Sequence, residues 1–243
     1  MKFPEAVEIE INSACNMACS YCPNSAFQRK EKGQMSVETY TLIMDQLVDL
    51  NFQGRISYDF YNEPMLCTNL ELFVGMAHEK LPKSKIIIYT NGSKLTEEKL
   101  KELVSLGVCE FVVTEHESEQ RGHDLFTKVY ETMDPKYKPY VLFQKHSEIQ
   151  LFNRGGVLPH LGAAEALLPC QIPANIMTIT VKGNVLPCFE DFHQNHEMGN
   201  VHETHLRDIW ASEKYEQFRK DLARGLRHKY AACKGCNRTE VLF

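Results

Sequence analysis

With 243 residues, 43% of them apolar, the chain is long enough for one large domain or one domain with a small appendage. Its 27 Lys and Arg against 32 Asp and Glu leave a formal charge of −5, which gives no electrostatic reason to expect nucleic acid or an anionic membrane as partner. No apolar run is long enough to span a bilayer and "MKFPEAVEIE" lacks the apolar core of a signal peptide, so a soluble, cytoplasmic protein is expected.

In chain order, "VEIEIN" (7–12) alternates apolar and acidic side chains, the pattern of a half-buried strand. "MSVETYTLIMDQLVDL" places Val37, Tyr40, Ile43, Met44, Leu47 and Leu50 at helical spacing, with Ser36 as N-cap. "RISYDFY" (55–61) predicts a second strand, "LELFVGMAHEKL" (70–81) a second helix, and "SKIIIYTNG" (84–92) an apolar strand ending in a turn. Residues 95–107 form a helix capped by Thr96 and stopped by Gly107. Strands are expected at 109–116, at 138–144 and in "EIQLFN" (148–153).

Alternation of apolar strands with helices predicts an α/β fold with a parallel sheet covered by helices. About five or six such units fall short of a closed barrel, so residues 1–160 are expected to form an open, partial TIM-like barrel. Chemistry in such folds gathers beyond the C-terminal ends of the strands. The segments 13–24, "YNEP" (61–64), "YTNG" (89–92) and "TEHES" (114–118) all follow strands and should share one rim.

From residue 161 the pattern changes, and 161–243 reads as a small second domain. "IMTITVKGNVLPCF" (176–189) predicts a hairpin turning at Lys182-Gly183-Asn184. Residues 206–225 are helical with a break at Ser212, and the end carries a C-x2-C loop.

Nine cysteines are many for a reducing compartment, where metal ligation or thiol chemistry explains them better than disulfides. They fall into Cys15/Cys19/Cys22, the isolated Cys67 and Cys109, and Cys170/Cys188/Cys233/Cys236. A C-x3-C-x2-C match by chance is expected on the order of 0.01 times in such a composition. Three thiolates can hold three irons of a [4Fe–4S] cluster and leave the fourth open to a small molecule, whereas four close the coordination. A three-ligand zinc site remains an alternative for the first group, and a four-cysteine zinc ribbon for the last.

"CNMACSYC", with Tyr21 before the third cysteine, resembles the cluster motif of the radical S-adenosylmethionine (SAM) superfamily. That resemblance implies SAM chelated at the open iron of a [4Fe–4S] cluster on Cys15, Cys19 and Cys22, and reductive release of a 5′-deoxyadenosyl radical. "FYNEP" resembles the family's glycine-rich SAM-binding segment, although Tyr61-Asn62 stand where glycines are usual. Glu63 would take SAM's amino group there, unless it only caps the following helix, and Asn62, Asn91 and Tyr21 join it as cofactor contacts. Cys170 to Cys236, with Gly183 in the hairpin turn, resembles the truncated SPASM domain called Twitch, which implies a second [4Fe–4S] cluster. The runs "CPNS", "GRIS", "LFVGM", "IYTNG", "NRGG" and "GNVLPCFEDF" extend the resemblance nearly end to end, to family members that oxidise a secondary alcohol of an aminocyclitol or amino sugar in antibiotic biosynthesis.

By the same resemblance, Arg154, Glu190 and Tyr89 would contact the substrate. Arg154 would stabilise the substrate oxygen, Glu190 pair with an ammonium and Tyr89 donate to a hydroxyl; structural salt bridges and a core tyrosine are the plain alternatives. An electron donor such as flavodoxin or ferredoxin is implied. Cys67 and Cys109 read as buried apolar thiols; a thiol able to return a hydrogen atom would instead make the protein an epimerase. A binding protein without a reaction is the alternative from another class. The histidines at 193, 196, 202 and 205 are irregularly spaced, and His116 ends a strand near the expected rim. The first strand's start near Val7 argues against a leader-binding domain and a peptide substrate.

Overall fold

A computed structural model describes residues 3–116, 125–163 and 168–238. Strand β1 (Ala6–Ile9) lies inside a sheet of order β5-β4-β3-β2-β1-β6-β7-β8. Beside it run β2 (Arg55–Ser57), β3 (Lys85–Thr90), β4 (Val108–Glu115) and β5 (Val141–Lys145), each parallel to its neighbour. The sheet is open, a partial barrel rather than a closed one. The sixth parallel strand is β6 (Ile176–Ile179), which pairs with the other side of β1, and β7 (Asn184–Leu186) and β8 (Gly199–Asn200) continue antiparallel. The sheet therefore runs across the change of pattern at residue 161.

Helices α1 (Val37–Asp49), α2 (Leu70–Lys80), α3 (Glu97–Ser105) and α4 (Leu125–Thr132) follow successive strands. The expected caps form, because Ser36 accepts from the Thr39 amide and Thr96 from the Lys99 amide, satisfying donors that a helix start leaves bare. Val7, Ile9 and Ile11 join Tyr40, Ile43, Leu47 and Phe73 in one apolar core. Tyr40 stacks on Phe73 with centroids 4.1 Å apart and shares its hydroxyl with Tyr58 at 2.7 Å, so a buried phenol keeps a partner.

Two expectations give way. "VEIEIN" is not half-buried: its acidic face is closed off too, Glu8 and Glu10 being almost wholly buried. Residues 148–153 form no strand; a short turn at His146–Glu148 is followed by irregular chain. The reason is long-range: the Asn153 amide donates to Asn237 Oδ1 at 2.9 Å, pulling this segment away from β5. Residues 117 and 118 of the fourth expected rim segment lie outside the described residues.

In the C-terminal part, α5 (Ile172–Asn175) leads into β6, and α6 (Leu206–Ala211) and α7 (Glu213–Ala223) meet at Ser212, which ends one and caps the next by accepting from the Tyr215 amide. Gln46 of α1 docks this part to the barrel, donating to Val201 O at 3.0 Å and accepting from the Leu206 amide at 2.8 Å. Helix α8 (Ala231–Lys234) carries Cys233.

Candidate active site

The loop after β1 is gripped by the ends of the next two strands. Asn12 donates to Ala14 O and Glu63 O at 3.1 Å each, Asn62 donates to Asn12 Oδ1 at 2.9 Å, and the Glu63 amide donates to Ala14 O at 2.8 Å. From β3, Asn91 donates to Asn16 Oδ1 at 3.0 Å and lies 3.9 Å from Cys15 Sγ. These bonds turn Cys15, Cys19 and Cys22 into one cavity of about 200 Å³, shared with Tyr21, Asn62, Arg154 and Phe189. Behind it, Arg29 pairs with buried Glu10, whose carboxyl burial pushes up to about 8 despite the arginine.

Glu63 is buried, and its carboxylate accepts from Thr90 Oγ1 at 2.6 Å, the Asn91 amide at 2.8 Å and the Met65 amide at 3.1 Å. It therefore does cap the turn Pro64–Leu66, and one of a carboxylate's roughly four acceptor positions stays open. Burial raises its pKa, with those three bonds working against the rise.

A second cavity of about 410 Å³ opens over the inner face of the sheet, lined among others by Glu8, Arg55, Asp59, Tyr89, Arg154 and Arg238. Tyr21, Asp59, His116, Arg154 and Phe189 line both cavities. Arg55 reaches Glu8 at 3.5 Å and donates to the Tyr89 hydroxyl at 3.2 Å, and Thr178 donates to Glu8 at 3.1 Å. Burial first, then the nearby Asp59 carboxylate, raises the Glu8 pKa well above the usual carboxylate range; burial also raises that of Asp59. Tyr21 and His116 Nδ1 share a hydrogen bond of 2.5 Å, and His146 stacks on Tyr21 with centroids 4.7 Å apart.

Arg154 enters both cavities from a loop with left-handed backbone, φ +52°, a conformation that costs a non-glycine residue on the order of 1 kcal/mol. The following glycines are needed by close approach as well as by positive φ: a Cβ on Gly155 would lie 2.6 Å from Glu190 O, and one on Gly156 would lie 3.0 Å from Gly235 Cα. Buried Asn153 holds the loop, donating to Gly162 O and Gly235 O and accepting from the Gly156 and Asn237 amides. Burial opposes the Arg154 charge, but Glu190 and Tyr61 outweigh it and raise its pKa. Glu190 itself lies behind the wall: it lines the four-cysteine cavity and an adjoining one of about 220 Å³, not the cavity of Tyr89. Its Oε1 takes Arg238 at 2.6 Å and faces Arg154 at 3.7 Å.

Cys170, Cys188, Cys233 and Cys236 line a single enclosed cavity with Ile172, Phe218 and Leu222. Arg227 frames it, donating to Cys236 O at 3.0 Å and Leu168 O at 2.7 Å. Burial pushes all four thiols up, Cys236 to about 11, and for Cys188, Cys233 and Cys236 mutual repulsion adds to the rise. Such a set ionises only around a cationic centre, so the donor chemistry fits a thiolate-held inorganic group.

Neither isolated cysteine lines these cavities. Cys67 is buried in the core, as expected. Cys109 is exposed, contrary to expectation, because it falls at a register shift: Ile86 pairs with Val108 and Ile87 with Glu110, leaving Cys109 unpaired in the ladder. Glu8, Arg55 and Asp59 were not singled out from sequence; their signal was polar residues alternating on strands of a barrel-like sheet.

A three-thiol loop at the rim of a partial barrel, beside a four-thiol cavity, defines the class. Residues 9–131 match the radical SAM superfamily and residues 170–237 match the iron-sulfur cluster-binding domain SPASM, and the chain belongs to the radical SAM superfamily. The S-adenosyl-L-methionine-dependent 2-deoxy-scyllo-inosamine dehydrogenase of Niallia circulans is 47% identical over 97% of this chain and 93% of its own length. The crystal structure of BtrN in complex with AdoMet and 2-DOIA matches at TM-score 0.93 and 46% identity, covering 99% of this chain and 95% of that one. BtrN in an open conformation matches at 0.80 and 41%, with the same coverage, so the chain is closer in shape to the ligand-bound form.

Proposed function

We propose that this protein is a radical SAM dehydrogenase that oxidises a secondary alcohol of a small aminocyclitol, 2-deoxy-scyllo-inosamine or a close analogue, to a ketone in aminoglycoside-type antibiotic biosynthesis. One observation carries the reading: Phe189 lines both the three-thiol cavity and the polar cavity, and its neighbour Cys188 belongs to the four-thiol cavity. The polar cavity thus adjoins one thiol group directly and lies one peptide unit from the other. The 47% identity to a dehydrogenase of this substrate class supports the same choice.

Cys15, Cys19 and Cys22 would hold one [4Fe–4S] cluster, with SAM bound near Asn62, Glu63, Asn91 and Tyr21, and the four later cysteines would hold a second. When bound, these groups supply a hydrogen-atom acceptor at the first site and an electron acceptor at the second. The chain's own side chains do the rest. Arg154 stays charged and stabilises the substrate oxygen, held in direction by Glu190. Tyr89, oriented by Arg55, contacts a hydroxyl. Glu8, Asp59 and Glu148 share the cavity wall with Arg55, Arg154 and Arg238, and Glu190 behind the wall engages two of those arginines, so carboxyl oxygens are available to accept from a substrate ammonium. Among the described residues no thiol outside the two groups lines the cavity, so no cysteine stands ready to return a hydrogen atom as an epimerase requires.

A small flavodoxin- or ferredoxin-type donor in the cytoplasm would supply the reducing electron, and the reading calls for neither nucleic acid nor membrane; among the described residues no helix is long and apolar enough to cross one. The functional division falls near residue 160, the three-thiol loop before it and the four-thiol group after, although β6 of the sheet lies beyond it. The test is anaerobic reconstitution with iron, sulfide, SAM and a strong reductant, then incubation with a panel of aminocyclitols. Loss of two hydrogens from 2-deoxy-scyllo-inosamine or an analogue, with about one 5′-deoxyadenosine per ketone, is expected. SAM cleavage without any such mass change across the panel rejects the substrate class.

A further inference from the structure

Alcohol oxidation of this kind must dispose of a hydroxyl proton inside a closed site, and the residues at the junction of the two cavities decide where it goes. Five residues line both: Tyr21, Asp59, His116, Arg154 and Phe189. Phe189 has no acceptor, and Arg154 is a guanidinium, which has none either. His116 Nδ1 is engaged by the Tyr21 hydroxyl at 2.5 Å. Asp59 is the one carboxylate among the five: the residue is half-buried in the wall of both cavities, and its Oδ1, closed to water, has no hydrogen-bond donor among the described residues, which leaves the carboxylate the more basic. Resting on the dehydrogenase reading above, we infer that Asp59 is the proton acceptor for the substrate hydroxyl.

The surroundings suit that role. Burial makes the Asp59 carboxylate a stronger base than an exposed aspartate, while Arg55 acts against that rise and favours the ionised form. The step balances. The substrate's C–H bond breaks and the hydrogen atom leaves to the SAM-derived acceptor; the O–H bond breaks and its proton goes to Asp59. One electron passes to the iron–sulfur group of the four-thiol cavity as the C=O bond forms. Arg154, beside the same oxygen, stabilises the negative charge that appears once the proton has gone.

The experiment uses fully loaded enzyme and substrate deuterated at the carbon to be oxidised. In the native protein, singly deuterated 5′-deoxyadenosine and ketone free of that deuterium should appear in about equal amounts. In Asp59→Asn, deuterium transfer should persist while ketone per deuterated 5′-deoxyadenosine falls about 100-fold or more, the usual contribution of a positioned base. Asp59→Glu, which keeps a carboxylate, should retain most of the coupling. A merely structural role would alter KM or the overall rate and leave this ratio unchanged. An unchanged ratio in Asp59→Asn overturns the inference. Should that variant misfold, the native enzyme's own ratio against pH decides: it must fall on the acid side as Asp59 protonates, and a ratio flat through the acid range overturns the proposal. The groups facing Asp59 in that titration are Glu8, Arg55, Tyr89, Tyr21, His116 and Arg154. If the native protein oxidises no alcohol at all, the dehydrogenase reading falls first and takes this assignment with it.

Discussion

Replacing Asn153 by Ala tests how the loop that carries Arg154 is held. The side chain makes four hydrogen bonds: it donates to Gly162 O at 3.0 Å and Gly235 O at 2.7 Å, and accepts from the Gly156 amide at 3.0 Å and the Asn237 amide at 3.2 Å. The residue is 1% exposed, so water does not replace them. At about 1 kcal/mol net for each bond, the loss amounts to about 4 kcal/mol. For a protein of this size, 1 kcal/mol moves Tm by roughly 2–4 °C, so a fall of about 8–16 °C is expected. Asn153→Asp keeps the two accepted bonds but sets a buried carboxylate oxygen against the Gly162 and Gly235 carbonyls, and should fall at least as far. The assay is thermal unfolding of cluster-loaded protein without oxygen at a fixed scan rate, because cluster loss makes unfolding irreversible. A Tm change under about 2 °C for Asn153→Ala would refute the hub assignment.

Cys236→Ala should still cleave SAM but yield no ketone, whereas Cys15→Ala should abolish SAM cleavage and retain the iron of the second site; product analysis with iron quantitation checks both. Tyr89→Phe loses its bond with Arg55 and a hydroxyl contact, raising KM for the aminocyclitol by about 2–10-fold with SAM cleavage intact, measured by steady-state kinetics. Glu10 binds a proton more tightly folded than unfolded, so its contribution to stability is fully present in acid, below its ordinary range, and is lost as pH rises toward about 8. Glu10→Gln should remove that downward slope from stability measured against pH.

The two thiol groups were legible because a cysteine motif is written locally: sequence position alone separated three thiols from four. Caps at Ser36, Thr96 and Ser212 were equally local. What escaped depended on closure. The alternation in "VEIEIN" ordinarily marks one wet face, yet here distant segments close that face, Arg55 and Thr178 meeting buried Glu8, and Arg29 and the Val181 amide meeting buried Glu10. The same alternation in 148–153 promised a strand, but a bond to Asn237 overrides propensity. Cys109 looked buried because its strand is; a one-residue register shift turns it outward. Glu190 lines the four-thiol cavity as its spacing from Cys188 implied, but only the folded chain places it behind Arg154.

Strand β6 hydrogen-bonds to β1 along four residue pairs, beginning at Ala6 with Ile176. Anyone grafting the C-terminal cysteine module onto another barrel, or exchanging it among relatives, would therefore sever a ladder of the recipient's innermost strand if the splice were made at the apparent seam. A transplant that keeps its host intact has to retain the host's own 172–186 segment and join beyond it, and because Cys170 precedes that segment the host must itself supply the fourth thiol.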